Sequence, residues 1–345
     1  MSRSTRPRFL HVANGTSTTG TIHKAGIPGS SSIWADPLHE GPVPGQLTDE
    51  QLLVGRARHL ASNGDPGGDS ADTIAELRRW REVIDDHESY DELVLWYEHD
   101  LFDQLNLIQV LSRIGRTLPV ARPASLICVG SFPGHPRFKG LGELTPVELG
   151  SLFETRRPVG DAQFELAARA WDAFRASGPR PLATLLGTDT SPLPFLAAAL
   201  QRHLEEYPWT RDGLSRTERR LMSLAQSGPI DIWTAFPQMH DDETAFYIGD
   251  SSFWQVVKEL ESTTPALVSI AELSTPPGRL PTGTIALTNT GRSVLGGHLD
   301  RVEQCGIDRW LGGVHLVGSH PIWRWDHAQQ RIVSAGPANR DDRGA

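Results

Sequence analysis

The sequence predicts an α/β protein. Its N-terminal part reads as a mostly parallel, Rossmann-like sheet with helices, followed by a helical middle and a winged-helix-like C-terminal module. Three observations predict this. Between residues 8 and 132, short apolar runs alternate with helical periodicity, the pattern of a parallel sheet closed by right-handed crossovers. Two of those runs stop abruptly at polar residues: Trp96 and Tyr97 lead into Glu98, His99 and Asp100, and Val12 and Ala13 lead into Asn14 and Gly15. Further on, three helical stretches precede a two-stranded hairpin, the order of a winged helix.

Strands are expected at 8–13, 30–35, 92–97 and 124–130, each short, apolar and bounded by turn residues, as strands buried on both faces are. Thr48 and Gln51 form a capping box for a helix to about Ser62. After a Gly/Asp-rich break at 63–69, a helix over 71–87 carries Ile74, Leu77, Trp80 and Ile84 on one face. A third, over 101–115, aligns Leu101, Leu105, Ile108, Leu111 and Ser112. The Gly/Pro-rich loop 133–143 follows the fourth strand. These elements, 8–143, make the expected ligand-binding domain.

The region 144–212 reads as helical. Thr145 and Glu148 form a second capping box with Pro146 at the first helical position. Helices are expected at 160–177, with Phe164, Ala168, Trp171 and Phe174 as its stripe, and at 192–206. The module 213–335 starts with Ser215 and Glu218 capping a helix to about Gln226. Helices at 232–238 and 251–261, strands at 266–271 and 284–288, and short aromatic strands over 306–326 follow. Trp233, Trp254, Trp310, Trp323 and Trp325 are expected to form its core, and the tail 341–345 to be disordered.

Composition narrows function. With 345 residues, 38% apolar and 22% charged content, the chain is ordinary for a globular protein. A net charge of −9 does not favour a nucleic-acid binder, which needs a basic face. Two distant cysteines, Cys128 and Cys305, make neither a disulfide framework nor a zinc set. The apolar run 9–13 is too short for a signal segment, and no run approaches the ~18 apolar residues of a membrane span. A cytoplasmic location is therefore expected.

The chemistry is expected where strands end, because open α/β sheets bind ligands beyond the carboxyl ends of their strands. Glu98, His99 and Asp100 combine carboxylates with an imidazole and are the catalytic candidates. Asp36, Glu40 and Asp103 are the candidate ligands of a divalent cation, Mg²⁺, Mn²⁺ or Zn²⁺. His11, Asn14, Gly15, Thr16 and Ser17 lie on a strand-to-helix turn able to cradle an anion, although it is neither a P-loop nor a Gly-x-Gly-x-x-Gly turn. His135, Arg137 and Lys139 sit on the Gly/Pro loop and can hold an anionic group. Simpler readings stand beside these: Asp100 as a plain helix N-cap, Asp36 as a local turn before Pro37, and 133–143 as a connection.

Three runs in order, His11-Val-Ala-Asn-Gly15, Ile33-Trp-Ala-Asp-Pro-Leu-His-Glu-Gly-Pro42 and Leu95-Trp-Tyr-Glu-His-Asp-Leu-Phe-Asp-Gln104, resemble the bacterial family catalogued as domain of unknown function 1835. The resemblance continues through Gly142-Glu-Leu-Thr145 and Leu214-Ser-Arg-Thr-Glu218 and extends to Arg309-Trp-Leu-Gly-Gly-Val-His315. Members often carry an acid where this chain has Thr16. The resemblance implies architecture and positions, not an activity.

The functional expectation is a metal-assisted hydrolase or transferase acting on a phosphorylated or nucleotide-like small molecule. The alternative is a ligand-sensing regulator whose C-terminal module binds DNA or a partner protein. Arg216, Arg219 and Arg220 would supply its basic face, whereas Asp241, Asp242, Glu243 and Asp250 oppose contact with phosphates.

Overall fold

A computed structural model describes residues 7–63, 70–86, 89–117, 123–275 and 281–334. Residues 64–69 of the expected Gly/Asp-rich break, the last residue of the helix expected to reach 87, and the tail 341–345 lie outside the described residues. The first half runs β1 (Phe9–Ala13), α1 (Thr16–Lys24), β2 (Ser30–Ile33), α2 (Asp49–Asn63), α3 (Ser70–Asp85), β3 (Glu92–Glu98), α4 (Leu101–Thr117) and β4 (Ala124–Val129). After these come α5 (Pro146–Leu152) and β5 (Arg157–Pro158). The five strands form one sheet in the order β2-β1-β3-β4-β5, parallel except for β5. Strand order reverses between β1 and β3, so the crevice outside their carboxyl ends is where such a sheet binds ligands. Ala13 lies opposite Trp96, which brings Asn14 beside the end of β3.

Side chains alternate across the sheet, as the two-residue period of a strand requires. Leu10, Val12, Leu95 and Tyr97 join the larger core on the α4 side, while Phe9, Ala13, Val94, Trp96 and Ile127 face a second core with Leu141 and Leu149. β1 is buried throughout, but β2 is an edge strand whose Ser30, Ser31 and Ser32 are exposed or half-buried. Two-sided burial was expected of it; three serines on an outer strand cannot provide it.

α4 was expected to bury one face. Every residue from Leu101 to Ser112 except Phe102 is buried, because α6 (Asp161–Phe174), α7 (Arg180–Leu186) and α8 (Leu196–Leu204) build a further layer against the α4 side of the sheet. Its polar residues serve the interior. Asn106 holds both main-chain groups of Asp36, at 3.0 and 2.9 Å, and Gln109 accepts from the Trp34 indole at 2.7 Å. α8 starts four residues later than expected, since Pro192 and Pro194 offer no N–H to a helix.

The last part comprises α9 (Arg216–Leu224), β6 (Ile230–Asp231), α10 (Ile232–Gln238), α11 (Asp250–Ser262), β7 (Val268–Ser274) and β8 (Thr282–Leu287), with an antiparallel sheet ordered β6-β8-β7. α12 (Asn289–Leu295), α13 (Arg301–Cys305) and two antiparallel ribbons, β9 (Ile307–Leu311) with β10 (Val314–Gly318) and β11 (Trp323–Asp326) with β12 (Arg331–Ser334), complete it. This region is thus helices with small antiparallel sheets. Of its tryptophans only Trp325 is fully buried; Trp233, Trp254, Trp310 and Trp323 are partly covered. All three expected capping boxes form, at Thr48, Thr145 and Ser215. One apolar core runs from Leu10 to Trp325, so the three regions share an interior. Both cysteines are free, and no helix among the described residues is long and apolar enough to cross a membrane.

Candidate functional site

Glu98 ends β3 and Asp100 caps α4, accepting from the Asp103 N–H at 2.9 Å. The tight passage from strand to helix therefore folds three carboxylates toward one point. Oxygens of Glu98, Asp100 and Asp103 lie within 4.8 Å of one another, and all three residues are buried. Asn14, arriving from β1, ties the group together. Its Nδ2 donates to Glu98 Oε1 at 2.9 Å and to Asp103 Oδ2 at 3.0 Å, and Thr18 Oγ1 donates to Asn14 Oδ1 at 2.8 Å, fixing the amide's orientation. The Leu141 N–H also donates to Glu98 Oε1, at 2.5 Å. A side chain at Gly140 would collide with the Glu98 carboxylate, so only glycine lets the loop close here. Gln104 Nε2 donates to the Glu98 carbonyl at 2.6 Å, securing the end of the strand.

These carboxylates are short of positive charge. Among the described residues no Lys or Arg forms an ion pair with any of them, and Asp103 Oδ1 is buried with no hydrogen-bond partner. Two unit charges 4 Å apart repel by about 4 kcal/mol at an effective dielectric of ~20, so the cluster resists full ionisation. Burial, then the Asp100 charge, pushes Glu98 up to about 7. Burial likewise pushes Asp100 up to about 6, against the Asp103 N–H bond that favours its charged form. Asp103 is raised well above the usual carboxylate range by burial, then by Glu98 and Asp100. Acids that share a site and share protons can exchange those protons for a cation.

The C-terminal region closes this edge. The Leu101 N–H donates to the Ala245 carbonyl at 2.6 Å, and the Tyr247 main chain hydrogen-bonds the Asp100 carboxylate. His99 faces the other way, into a cavity of about 380 Å³ between the 130–139 loop and residues 240–247. Its Nδ1 is buried with no hydrogen-bond partner among the described residues, and its ring packs edge-on against Phe195 and Tyr247. Burial lowers its pKa, which favours the neutral base.

The other expected residues scatter in instructive ways. Asp36 and Glu40 do not join Asp103. Asp36 is locked in a buried ion pair with Arg56, which contacts it from Nε at 3.0 Å and from Nη2 at 2.6 Å. Glu40 sits with His39 and His59 in a different cavity. His11 is wholly buried within the sheet: its Nδ1 accepts from the Trp96 indole at 3.1 Å and its Nε2 bonds the Pro28 carbonyl at 3.1 Å. Both nitrogens are used in packing. Gly15, Thr16 and Ser17 open α1 without a side-chain cap, and Thr16 and Ser17 are exposed. His135, Arg137 and Lys139 line the same cavity as His99, as their loop's position suggested.

Sequence reading missed Thr18, Leu141, Ala245, His240 and Tyr247. The Gly-x-Gly spacing at 140–142 was a visible signal for a close backbone approach at Leu141. Nothing local marks residues 240–247, which reach the site only through tertiary packing. No family model and no curated protein matches the chain, so the likeness to family 1835 rests on the motifs quoted above.

Proposed function

We propose that Glu98, Asp100 and Asp103 bind a divalent cation and that the chain is an enzyme using it for metal-assisted hydrolysis or group transfer on a small phosphorylated or nucleotide-like substrate. The observation that carries this reading is the convergence of three buried carboxylates with no cationic side chain bonded to them among the described residues. An all-oxygen donor set suits Mg²⁺ or Mn²⁺ better than Zn²⁺. In this reading Asn14 positions two of the three ligands, and His99, neutral and adjacent, serves as base or acid toward a group in its cavity. The crevice at the reversal of strand order supports the same location.

The regulator reading has one supporting feature. The succession α9, β6, α10, α11, β7, β8 with sheet order β6-β8-β7 fits a winged helix. Its expected basic face is already paired with acids: Arg216 with Glu205 and Glu243, Arg219 with Asp212, and Arg220 with the exposed Asp242. We therefore rank it second.

The test is thermal unfolding of the purified protein with Mg²⁺, Mn²⁺ or Zn²⁺, for the natural chain and Glu98→Gln. Ligands specific to the folded state raise the melting temperature by mass action. A rise that Glu98→Gln loses supports the metal centre. No rise with any of the three, or an equal rise in the variant, removes it.

A further inference from the structure

The cavity beside His99 is built from two distant parts of the chain. Gly130, Ser131 and the 135–139 loop form one wall, and His240, Thr244 and Tyr247 form the other. Its volume, about 380 Å³, lies at the lower end of the roughly 300–1,000 Å³ typical of small-molecule sites. It suits a compact ligand.

Charged side chains converge on this cavity. What sets it apart is that two cations without an acid partner among the described residues, Arg137 and Lys139, line the same space. Among the described residues Arg137 has no ion pair or hydrogen bond and is exposed. Lys139 Nζ is within 3.4 Å of His240 Nδ1 and makes no ion pair. The ring of His240 is oriented for this contact: its Nε2 bonds the Ile248 carbonyl at 3.0 Å, which leaves Nδ1 as the acceptor. Lys139 is thereby held in the cavity without being neutralised. His135, steadied by Glu148 at 3.1 Å, adds a third nitrogen-bearing group.

Two acids also line the space. Glu243 is already consumed by Arg202 and Arg216 and by the Thr244 and Ala245 N–H groups. Asp241 lies exposed at the rim. Of the lining charges, Lys139 is half-buried and Arg137 and Asp241 are exposed, so the cations not already held by an acid, Arg137 and Lys139, lie on the far side of His99 from the acid triad.

We propose that this cavity seats the phosphate group of a small phosphate monoester, gripped by Arg137 and Lys139. Arg offers the planar fork that matches phosphate oxygens, and Lys a mobile point charge. This deepens the metal-assisted reading, and rests on it for the reaction but not for the binding. Because His240 and Tyr247 belong to the C-terminal region, that region contributes part of the substrate site.

The test is calorimetric titration of the full chain, without divalent cation, with ribose 5-phosphate, inorganic phosphate and ribose. Expected are binding of ribose 5-phosphate, no binding of ribose, and a loss of about 10-fold or more in affinity in each of Arg137→Ala and Lys139→Ala, the usual scale for a charge-assisted bond. Arg137 is exposed and Lys139 half-buried, and neither makes an ion pair among the described residues, so the variants should fold. Absence of ribose 5-phosphate binding, or affinity in both variants unchanged from that of the natural chain, overturns the proposal. Tighter binding of inorganic phosphate than of the ester overturns the monoester assignment in favour of a free-anion site. Metal binding is read separately, by Mn²⁺ titration of the natural chain and Glu98→Gln with no phosphate present, so either site can fail while the other stands.

Discussion

Buried acids occur in two settings in this molecule, with opposite electrostatics. In the C-terminal half each is matched. Glu218 meets Arg301 and Arg309, Glu206 and Glu243 meet Arg202, and Asp212 meets Arg219. Despite complete burial, the arginines beside Glu218 hold its carboxyl down to about 2. At the sheet edge the same burial acts on Glu98, Asp100 and Asp103 without an arginine, and the first of these rises to about 7. Burial is common to both sets, so the partner decides the sign. Matched acids fasten the fold. The unmatched set leaves charge to be supplied from outside.

That contrast can be broken most severely at a matched acid. Asp36→Asn would leave Arg56, 0% exposed, facing no carboxylate. It should cost about 3–5 kcal/mol, the usual penalty for stranding one member of a buried pair, read by urea denaturation. A loss below about 1 kcal/mol would mean that the carbonyls around Arg56 suffice.

The unmatched set should respond differently. Asp103→Asn should leave the metal-free protein about as stable, because burial and the neighbouring acids already disfavour the charge at Asp103 and an amide keeps an oxygen for Asn14. It should weaken Mn²⁺ binding by about 100-fold or more, since even changes to outer-shell partners cost 10- to 100-fold. Titration calorimetry with parallel unfolding curves measures both. A strongly destabilised variant with unaltered Mn²⁺ affinity would contradict the assignment.

The pH dependence separates the two settings by sign. Folded-state values of about 7 for Glu98 and about 6 for Asp100 exceed the ordinary 4.5 and 3.8. Their contribution to stability is full below the ordinary values and is lost as pH rises through about 6 to 7, on the order of 1–3 kcal/mol per group. Glu218, at about 2 rather than 4.5, contributes above 4.5 and loses that contribution as pH falls toward 2. Unfolding free energies from pH 3 to 8 should show both limbs, with Glu98→Gln flattening only the upper one. Mn²⁺ affinity should climb over the same upper window, because the cation displaces those protons.

The smallest effect belongs to a pair matched but exposed. Asp242, 80% exposed, pairs with Arg220 at 3.0 Å. Asp242→Asn should change stability by less than about 1 kcal/mol. A larger loss in urea would show that pairing rather than burial sets the scale.

Much of this was legible in the chain itself. The strand end at Ala13, that of β3 to within one residue, and the helix opening at Leu101 follow from apolar runs broken by polar residues, and they put Glu98 and Asp100 at the sheet edge. The helix starts at Thr48, Thr145 and Ser215 were legible because capping is local chemistry. Asp36 could not be separated from Asp103 in the same way. Both are acids after a strand, and only the distant Arg56 decides that one is structural. The burial of α4 on every side depends on α6, α7 and α8, and the wall formed by His240 and Tyr247 depends on the docking of a remote region. Neither leaves a periodic trace.

The bond from the Leu101 N–H to the Ala245 carbonyl also bears on how the protein is made. The sheet edge leaves the ribosome roughly 140 residues before the segment that covers it, an interval of roughly 7–30 s at 5–20 residues per second. Throughout synthesis of the middle region the acid cluster can stand open to ions in the surrounding water. On the metal-centre reading, a cation captured then is enclosed later, so the composition of the medium during translation, and not only affinity in the finished protein, would decide which ion fills the site.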